Sequence, residues 1–389
     1  MPRKSGAYRT FRVGGETFRA FTPLPLPPRS PALRIEGDLA RRHDRAAASL
    51  QRLSVAAMTV PSLQWFLYGF VRKEAVISSQ IEGTQATFED LITFEATRQT
   101  DRDDDVEEIC NYVAALEYAR AEVARPKGLP ICTRLLCQIH KRLMHGVRGA
   151  EKQPGIVRTS QNWIGGSRPG NAMFVPPPPE NVPEALALLD RWVHQEDGFP
   201  PLVRAGLAHV QFETIHPFLD GNGRVGRLLI TLLVEHWKLL SAPLLYLSLS
   251  FKRHREEYYR RLSAVRTDGD FEGWIGFFLD AVREAADDAV EAATRVFRLL
   301  NDDRRLVTSH KAATVTSIRL FDHLPENPAI TVAMAAELLG ATKPTAIKAV
   351  QALVHAGVLE ESTGKKRDRM YRYHRYLSLL AEDTEVQKP

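Results

Sequence analysis

The run His216-Pro217-Phe218-Leu219-Asp220-Gly221-Asn222-Gly223-Arg224-Val225-Gly226-Arg227 constrains this chain more than any other stretch. Gly221-Asn222-Gly223 predicts a turn, because glycine adopts positive φ freely and asparagine tolerates it better than most residues. The turn leads directly into residues 224–234, long and apolar enough for a buried helix. A turn that delivers backbone N–H groups to a helix N-terminus makes an anion site, through unpaired donors and the positive end of the dipole, and phosphate is its natural guest. Arg224 and Arg227 stand three apart and so share a face of the first turn, where forked guanidiniums can grip phosphate oxygens in pairs. Asp220 supplies a hard oxygen ligand suited to a Mg²⁺ that shares those phosphates. His216, at the far end of the loop, is placed to take a proton from an incoming hydroxyl near neutral pH. Each feature alone has an ordinary structural explanation. Their order, base then carboxylate then phosphate turn then paired arginines, is something a purely structural loop does not need. Phe218 and Pro217 fit the other purpose, anchoring the loop in the core.

The rest of the chain sets the context. With 389 residues, 44% hydrophobic and 25% charged, it has the make-up of a globular protein of two or three domains. No apolar run reaches membrane length, and Met1-Pro2-Arg3-Lys4 is not followed by the apolar core of a signal peptide, so the expectation is a cytoplasmic protein with no membrane partner. Cys110, Cys132 and Cys137 have neither zinc-like nor redox spacing and read as reduced thiols. A net charge of +5 is too mild to single out nucleic acid.

Periodicity predicts a mainly α protein. Prolines at 23, 25, 27, 28 and 31 make residues 1–35 an extended arm. Helices follow over residues 39–57, from Trp65 toward the ending Ser78-Ser79-Gln80-Ile81-Glu82-Gly83, and over 106–124, 133–144, 182–192, 202–214, 248–265 and 280–306. Gly83 has the character of a residue just past a helix end. Trp163-Ile164 and Met173-Phe174-Val175 flank a Gly- and Pro-rich tip and predict a small β-hairpin. The C-terminal part changes character: residues 330–340 and 345–354 predict two helices about a short turn, followed by strand-like pieces at 357–360 and 370–373 with the basic tip Gly364-Lys365-Lys366-Arg367-Asp368-Arg369 between them. That pattern resembles a winged helix-turn-helix, which leaves DNA open as a partner. The expected division is an N-terminal arm and helical region to residue 100, a core over 101–300, and the winged helix over 301–389.

At the twelve residues from His216 to Arg227 the sequence resembles the Fic family, whose signature H-P-F-x-[DE]-G-N-G-R-x-x-R it matches at every specified position. The resemblance implies a Fic helical core and transfer of AMP from ATP to a Ser, Thr or Tyr hydroxyl of a protein. It makes His216 the general base, Asp220 the Mg²⁺ ligand, and Asn222, Gly223, Arg224 and Arg227 the phosphate cradle. Thr214, Gly221, Val225 and Gly226 join these as nucleotide-binding positions. It makes the 163–175 hairpin a flap over the nucleotide, through Ile164, Gly165, Gly166 and Ser167, whose edge would pair with the target's backbone. Tyr258 is the candidate for the adenine contact, although an aromatic pair on a helix serves a core equally well; a polar partner often found two turns later falls on Arg266 here. Ser78, Glu82 and Gly83 match the family's S/T-x-x-x-E-[GN] inhibitory helix, which implies that Glu82 pairs with Arg227 in the place of the γ-phosphate. Transfer of another phosphate-containing group, removal of AMP, a nucleotide-sensing DNA-binding regulator, and a homodimer stay open.

Overall fold

The computed structural model describes residues 3–13, 15–29, 31–59, 62–97, 103–147, 149, 151–364 and 369–385. In chain order the elements are β1 (Gly6–Val13), β2 (Glu16–Pro23), α1 (Gly37–Thr59), α2 (Leu63–Ile81), α3 (Phe88–Thr97), α4 (Asp103–Ala124), α5 (Thr133–Leu143), α6 (Val182–Val193), α7 (Pro201–Ile215) and α8 (Asn222–His236). They continue with α9 (Ser248–Arg253), α10 (Arg255–Asp268), α11 (Phe271–Ser309), α12 (Val315–His323), β3 (Ala329–Thr331), α13 (Val332–Leu339), α14 (Lys343–His355), β4 (Glu360–Glu361), β5 (Met370–Arg372) and α15 (His374–Ala381). The protein is mainly helical, as expected.

The chain forms two compact units, Met1–Gln51 with Cys110–Ala286, and Arg52–Ile109 with Asp287–Pro389. In the first, α7 is the axis: every residue from Leu202 to Ile215 is buried, and α6, α8, α10 and β2 pack on it. Several of its polar residues make their bonds inside the unit. Arg204 donates to the carbonyls of Trp192 and Val193 at 2.9 and 3.2 Å, and Gln211 to that of Leu24 at 3.0 Å. The expected extended arm is instead a β-hairpin, β1 antiparallel to β2 with Val13 opposite Glu16. Alternating apolar residues on either side of Gly14-Gly15 are the signal for a two-residue hairpin turn, and the prolines that argued against helix all lie beyond it. Phe18, Ala20 and Val175 form one buried cluster on β2's inner face.

In the second unit α2 ends in a Schellman motif: Gly83, at φ +104°, donates to the Gln80 carbonyl and Thr84 to that of Ser79. Glu82 is the exposed C-cap residue, and Ser78 is fully buried a turn earlier. The C-terminal part has α12, α13 and α14 packed together and a three-stranded antiparallel sheet in the order β3-β5-β4. Buried Asp303 accepts hydrogen bonds from the Tyr373 hydroxyl, 2.7 Å, and from Arg375. Lys365, Lys366, Arg367 and Asp368 of the basic tip lie outside the described residues, as do Asp101 and Arg102.

Other differences have identifiable causes. The helix expected over 248–265 breaks at His254, where Glu284 gathers Ser250, Arg253 and His254 at 2.9–3.1 Å. The stretch Trp274–Leu279 and the expected connector are one helix, α11, of 39 residues. α3, α12 and α15, each ten residues or fewer, were not anticipated.

Candidate active site

α7 ends at His216, whose φ of +50° turns the chain sharply out of the helix. Six residues later α8 begins, with Gly221 as its N-cap at φ +73°. Three carbonyls of the intervening loop, those of His216, Phe218 and Asp220, are held by side chains from other parts of the first unit. Arg158, buried, donates Nε–H to the His216 carbonyl at 2.9 Å and Nη2–H to that of Pro177 at 2.5 Å, while its own backbone N–H meets the Pro217 carbonyl at 2.9 Å. Burial pushes this guanidinium down to about 10, which leaves it charged. The Phe218 carbonyl takes Asn162 Nδ2 at 2.9 Å and Asn222 Nδ2 at 2.8 Å, and the Phe218 N–H donates to Asn222 Oδ1 at 2.9 Å.

His140 of α5 completes the set. Its Nδ1 accepts from the Gly155 N–H at 2.8 Å, so the ring proton sits on Nε2 and is donated to the Asp220 carbonyl at 3.0 Å. The ring lies flat on Phe218, centroids 3.9 Å apart. Burial holds this imidazole neutral, its pKa pushed down to about 4. Phe218 thus anchors the loop, as its sequence suggested.

Asp220 folds one carboxylate oxygen, Oδ1, back onto the Gly221 N–H at 2.6 Å, with Arg224 Nη2 at 3.9 Å; its side chain is 46% exposed. Among the described residues no three His, Cys, Asp or Glu side chains gather into a metal centre. A single half-exposed carboxylate of this kind fits a Mg²⁺ that takes its remaining ligands from phosphate and water. Gly149 leans over the same group: a Cβ there would come within 2.8 Å of Asp220 Oδ2.

Arg224 and Arg227, both buried, follow within the first turn and a half of α8, where the first backbone N–H groups have no carbonyl within the helix to bond. Arg224 Nη2 lies 3.5 Å from the Met144 sulfur. The Asn222 carboxamide is occupied by Phe218 on both of its atoms, so what Asn222 presents to a ligand is its N–H. Val225 is fully buried, and a Cβ on Gly226 would stand 2.3 Å from Glu213 Oε1, so these two residues seat α8 against α7. The Gly226 carbonyl accepts from His209 Nδ1 at 3.0 Å, and His209 Nε2 accepts from the Tyr258 hydroxyl at 2.9 Å. Burial drives the His209 pKa down to about 3, consistent with that neutral tautomer. Tyr258 therefore sits in the core, its ring stacked on Phe251 at 4.6 Å.

Arg266 reaches the end of α7, donating to the Glu213 carbonyl at 3.3 Å and the Thr214 hydroxyl at 3.4 Å, and its guanidinium lies 3.8 Å from the Phe174 ring centroid. Thr214 itself donates to the Val210 carbonyl at 2.7 Å. Phe174 belongs to the expected hairpin, which is reduced to one bridge: Ile164 and Phe174 exchange both backbone hydrogen bonds, at 2.8 and 3.1 Å. Gly165 and Gly166 turn at φ +67° and +77°, and Ser167 closes the tip by bonding Asn171. The Val175 carbonyl accepts from Phe21 of β2 at 3.0 Å, so β2 braces the hairpin from behind. Sequence reasoning gave no role to His140, Gly149, Arg158 or Asn162. Their part depends on contacts with residues 56 to 80 positions away, which no local pattern announces.

Residues 40–121 match the Fic/DOC family N-terminal domain and residues 130–234 the Fic/DOC family domain. Over 186 residues the chain is 30% identical to the protein adenylyltransferases Fic of Culex quinquefasciatus and Aedes aegypti, covering 47% of this chain and 34% of each relative. It spans about a third of their length. A Fic family protein from Desulfovibrio desulfuricans G20 has the same fold, with a TM-score of 0.57 at 23% identity over 88% of this chain and 97% of that one. So does a Fic domain containing signaling protein from Bacteroides thetaiotaomicron, with a TM-score of 0.52 at 18% identity over 64% of this chain and 96% of that one. With the signature loop seated between α7 and α8 and the family domain matched across it, the chain belongs to the Fic/DOC family.

Proposed function

We propose that this protein transfers AMP from ATP to a Ser, Thr or Tyr hydroxyl of another protein. The observation that carries the reading is the fastening of the His216–Gly221 loop, whose His216, Phe218 and Asp220 carbonyls are held by the buried side chains of Arg158, Asn162 and His140. A loop that only joined two helices would need no such bracing, whereas transfer chemistry needs groups fixed before the substrate arrives. In this reading His216 takes the proton of the incoming hydroxyl as its oxygen attacks the α-phosphorus. The bond to the bridging oxygen breaks and pyrophosphate leaves. The N–H groups of Gly223 and its neighbours, with Arg224 and Arg227, hold the charge that collects on the phosphate oxygens. Asp220 would hold Mg²⁺, which when bound neutralises phosphate charge.

The target's backbone would align along the outer edge of the Trp163–Gly165 segment, the side away from Phe174. On the strength of the Ser78/Glu82/Gly83 match, Glu82 is an inhibitory carboxylate. Incubation with ATP labelled at the α- or the γ-phosphate tests the reading. Label kept by protein from α-labelled ATP alone, and lost in His216→Ala, is the expected result; label kept only from γ would mean phosphoryl transfer. One observation favours a second activity: Lys343, Lys348 and Gln351 all lie exposed on α14, the second helix of the predicted helix-turn-helix. A gel shift on duplex DNA that disappears in Lys343→Ala/Lys348→Ala would support a DNA-binding role, and one that persists would oppose it.

A further inference from the structure

The first compact unit carries a second concavity, of about 950 Å³, that shares no residue with the His216–Arg227 loop. It lies between the proline-rich run that follows β2 and the outer face of α6. Its volume is at the upper end of the range for ligand sites. The walls are apolar, formed by Leu24, Leu188, Trp192, Phe271 and the prolines of the run. Leu24 is 50% exposed, and the Trp192 indole N–H is already held by Asp197 at 2.6 Å, so the tryptophan offers a guest its ring alone. The prolines have no N–H, so those residues of the wall offer a guest no backbone donor.

The polar lining is one-sided. Lys4, Arg29 and Arg191 border the groove, and no aspartate or glutamate does. None of the three pairs with a carboxylate among the described residues; Arg191 Nε donates to the Ala187 carbonyl of its own helix at 3.3 Å. The three cations come from different segments, one before β1, one in the run and one on α6. The wall is preformed: Leu24 is held by its N–H on the Ser5 carbonyl, 2.8 Å, and by its carbonyl on Gln211 of α7, 3.0 Å. An apolar trough bordered by three cations that meet no carboxylate among the described residues complements an acidic ligand with large apolar side chains. From this charge pattern we infer that the groove is a docking site for an acidic segment of a partner protein, in which aspartates or glutamates flank leucine- or phenylalanine-type anchors. The site is independent of nucleotide transfer.

The test uses the full chain and fluorescence anisotropy of a fluorescein-labelled peptide, Glu-Leu-Asp-Phe-Glu-Leu-Asp. Saturable binding is expected that weakens about tenfold or more in Arg29→Glu/Arg191→Glu, where two attractions become repulsions. Replacing the acids of the peptide by lysine, or its apolar residues by serine, should weaken binding to the unaltered protein to a similar degree. The lysine peptide should bind the double variant better than it binds the unaltered protein, a gain that a misfolded variant cannot give. Equal affinity for acidic and lysine peptides, indifference to the double substitution, or no binding by about 1 mM peptide overturns the inference. Displacement of the peptide by dodecanoate at lower concentration than by unlabelled peptide overturns it in favour of a small amphiphilic anion.

Discussion

His140 places the Asp220 carbonyl without being part of the signature, and its influence can be measured. In His140→Phe the ring can still stack on Phe218, but the Nε2 donor to Asp220 and the acceptor for Gly155 are lost. A displacement of the loop by a fraction of an ångström to an ångström is expected to lower the transfer rate by about tenfold to a hundredfold, with the melting temperature changed far less. A rate equal to that of the unaltered chain would remove His140 from the account. The two buried imidazoles also set a pH window. Both are held below their usual value of 6.5, His140 at about 4 and His209 at about 3, so the unfolded chain takes up protons there before the folded one does. Their contribution is therefore complete above about pH 6.5 and is lost as pH falls through 4 toward 3. Thermal melts should show a stability loss over that interval that is smaller in His140→Phe. At this scale the sequence shows chemistry and hides support. His216, Asp220 and Arg224 are legible because they stand in one short run, whereas Arg158 and Asn162 carry no mark until tertiary structure brings them to the loop.

Between elements, α8 packs on α7 with no room for a side chain at Gly226. Gly226→Ala would force its methyl into Glu213 and the His209 ring, which should cost about 1–3 kcal/mol and lower the midpoint of a denaturant melt correspondingly. An unchanged midpoint would mean that the helices part easily. At the end of α2 the Schellman turn leaves Glu82 exposed as the C-cap. If the carboxylate inhibits, Glu82→Gly raises automodification by α-labelled ATP several-fold; equal labelling of both forms would refute inhibition. Long periodic helices such as α7 and α8 could be read from the sequence within a residue or two. The break at His254 could not, because it follows from Glu284 thirty residues on, and the β1–β2 hairpin is masked in the sequence by the prolines that follow it.

On the scale of the whole chain, neither compact unit is a continuous stretch of sequence. Residues 1–51 belong with 110–286, and β2 supplies Phe18 and Ala20 to the cluster that holds Val175 behind the flap bridge. A chain beginning at Arg52 should therefore melt at a temperature lower by about 10 °C or more, or remain unfolded, because the 110–286 part loses apolar partners it cannot replace; calorimetry showing an unshifted transition would contradict this. No helix among the described residues is long and apolar enough to cross a membrane.

The fastening of the His216–Gly221 loop bears on engineering. Its braces arrive from α5, from Arg158 and Asn162, and from α8, so a synthetic dodecapeptide or a graft of the signature onto a foreign pair of helices would carry the reactive groups without their scaffold. Such a transplant should be floppy and inert unless counterparts of His140, Arg158 and Asn162 travel with it.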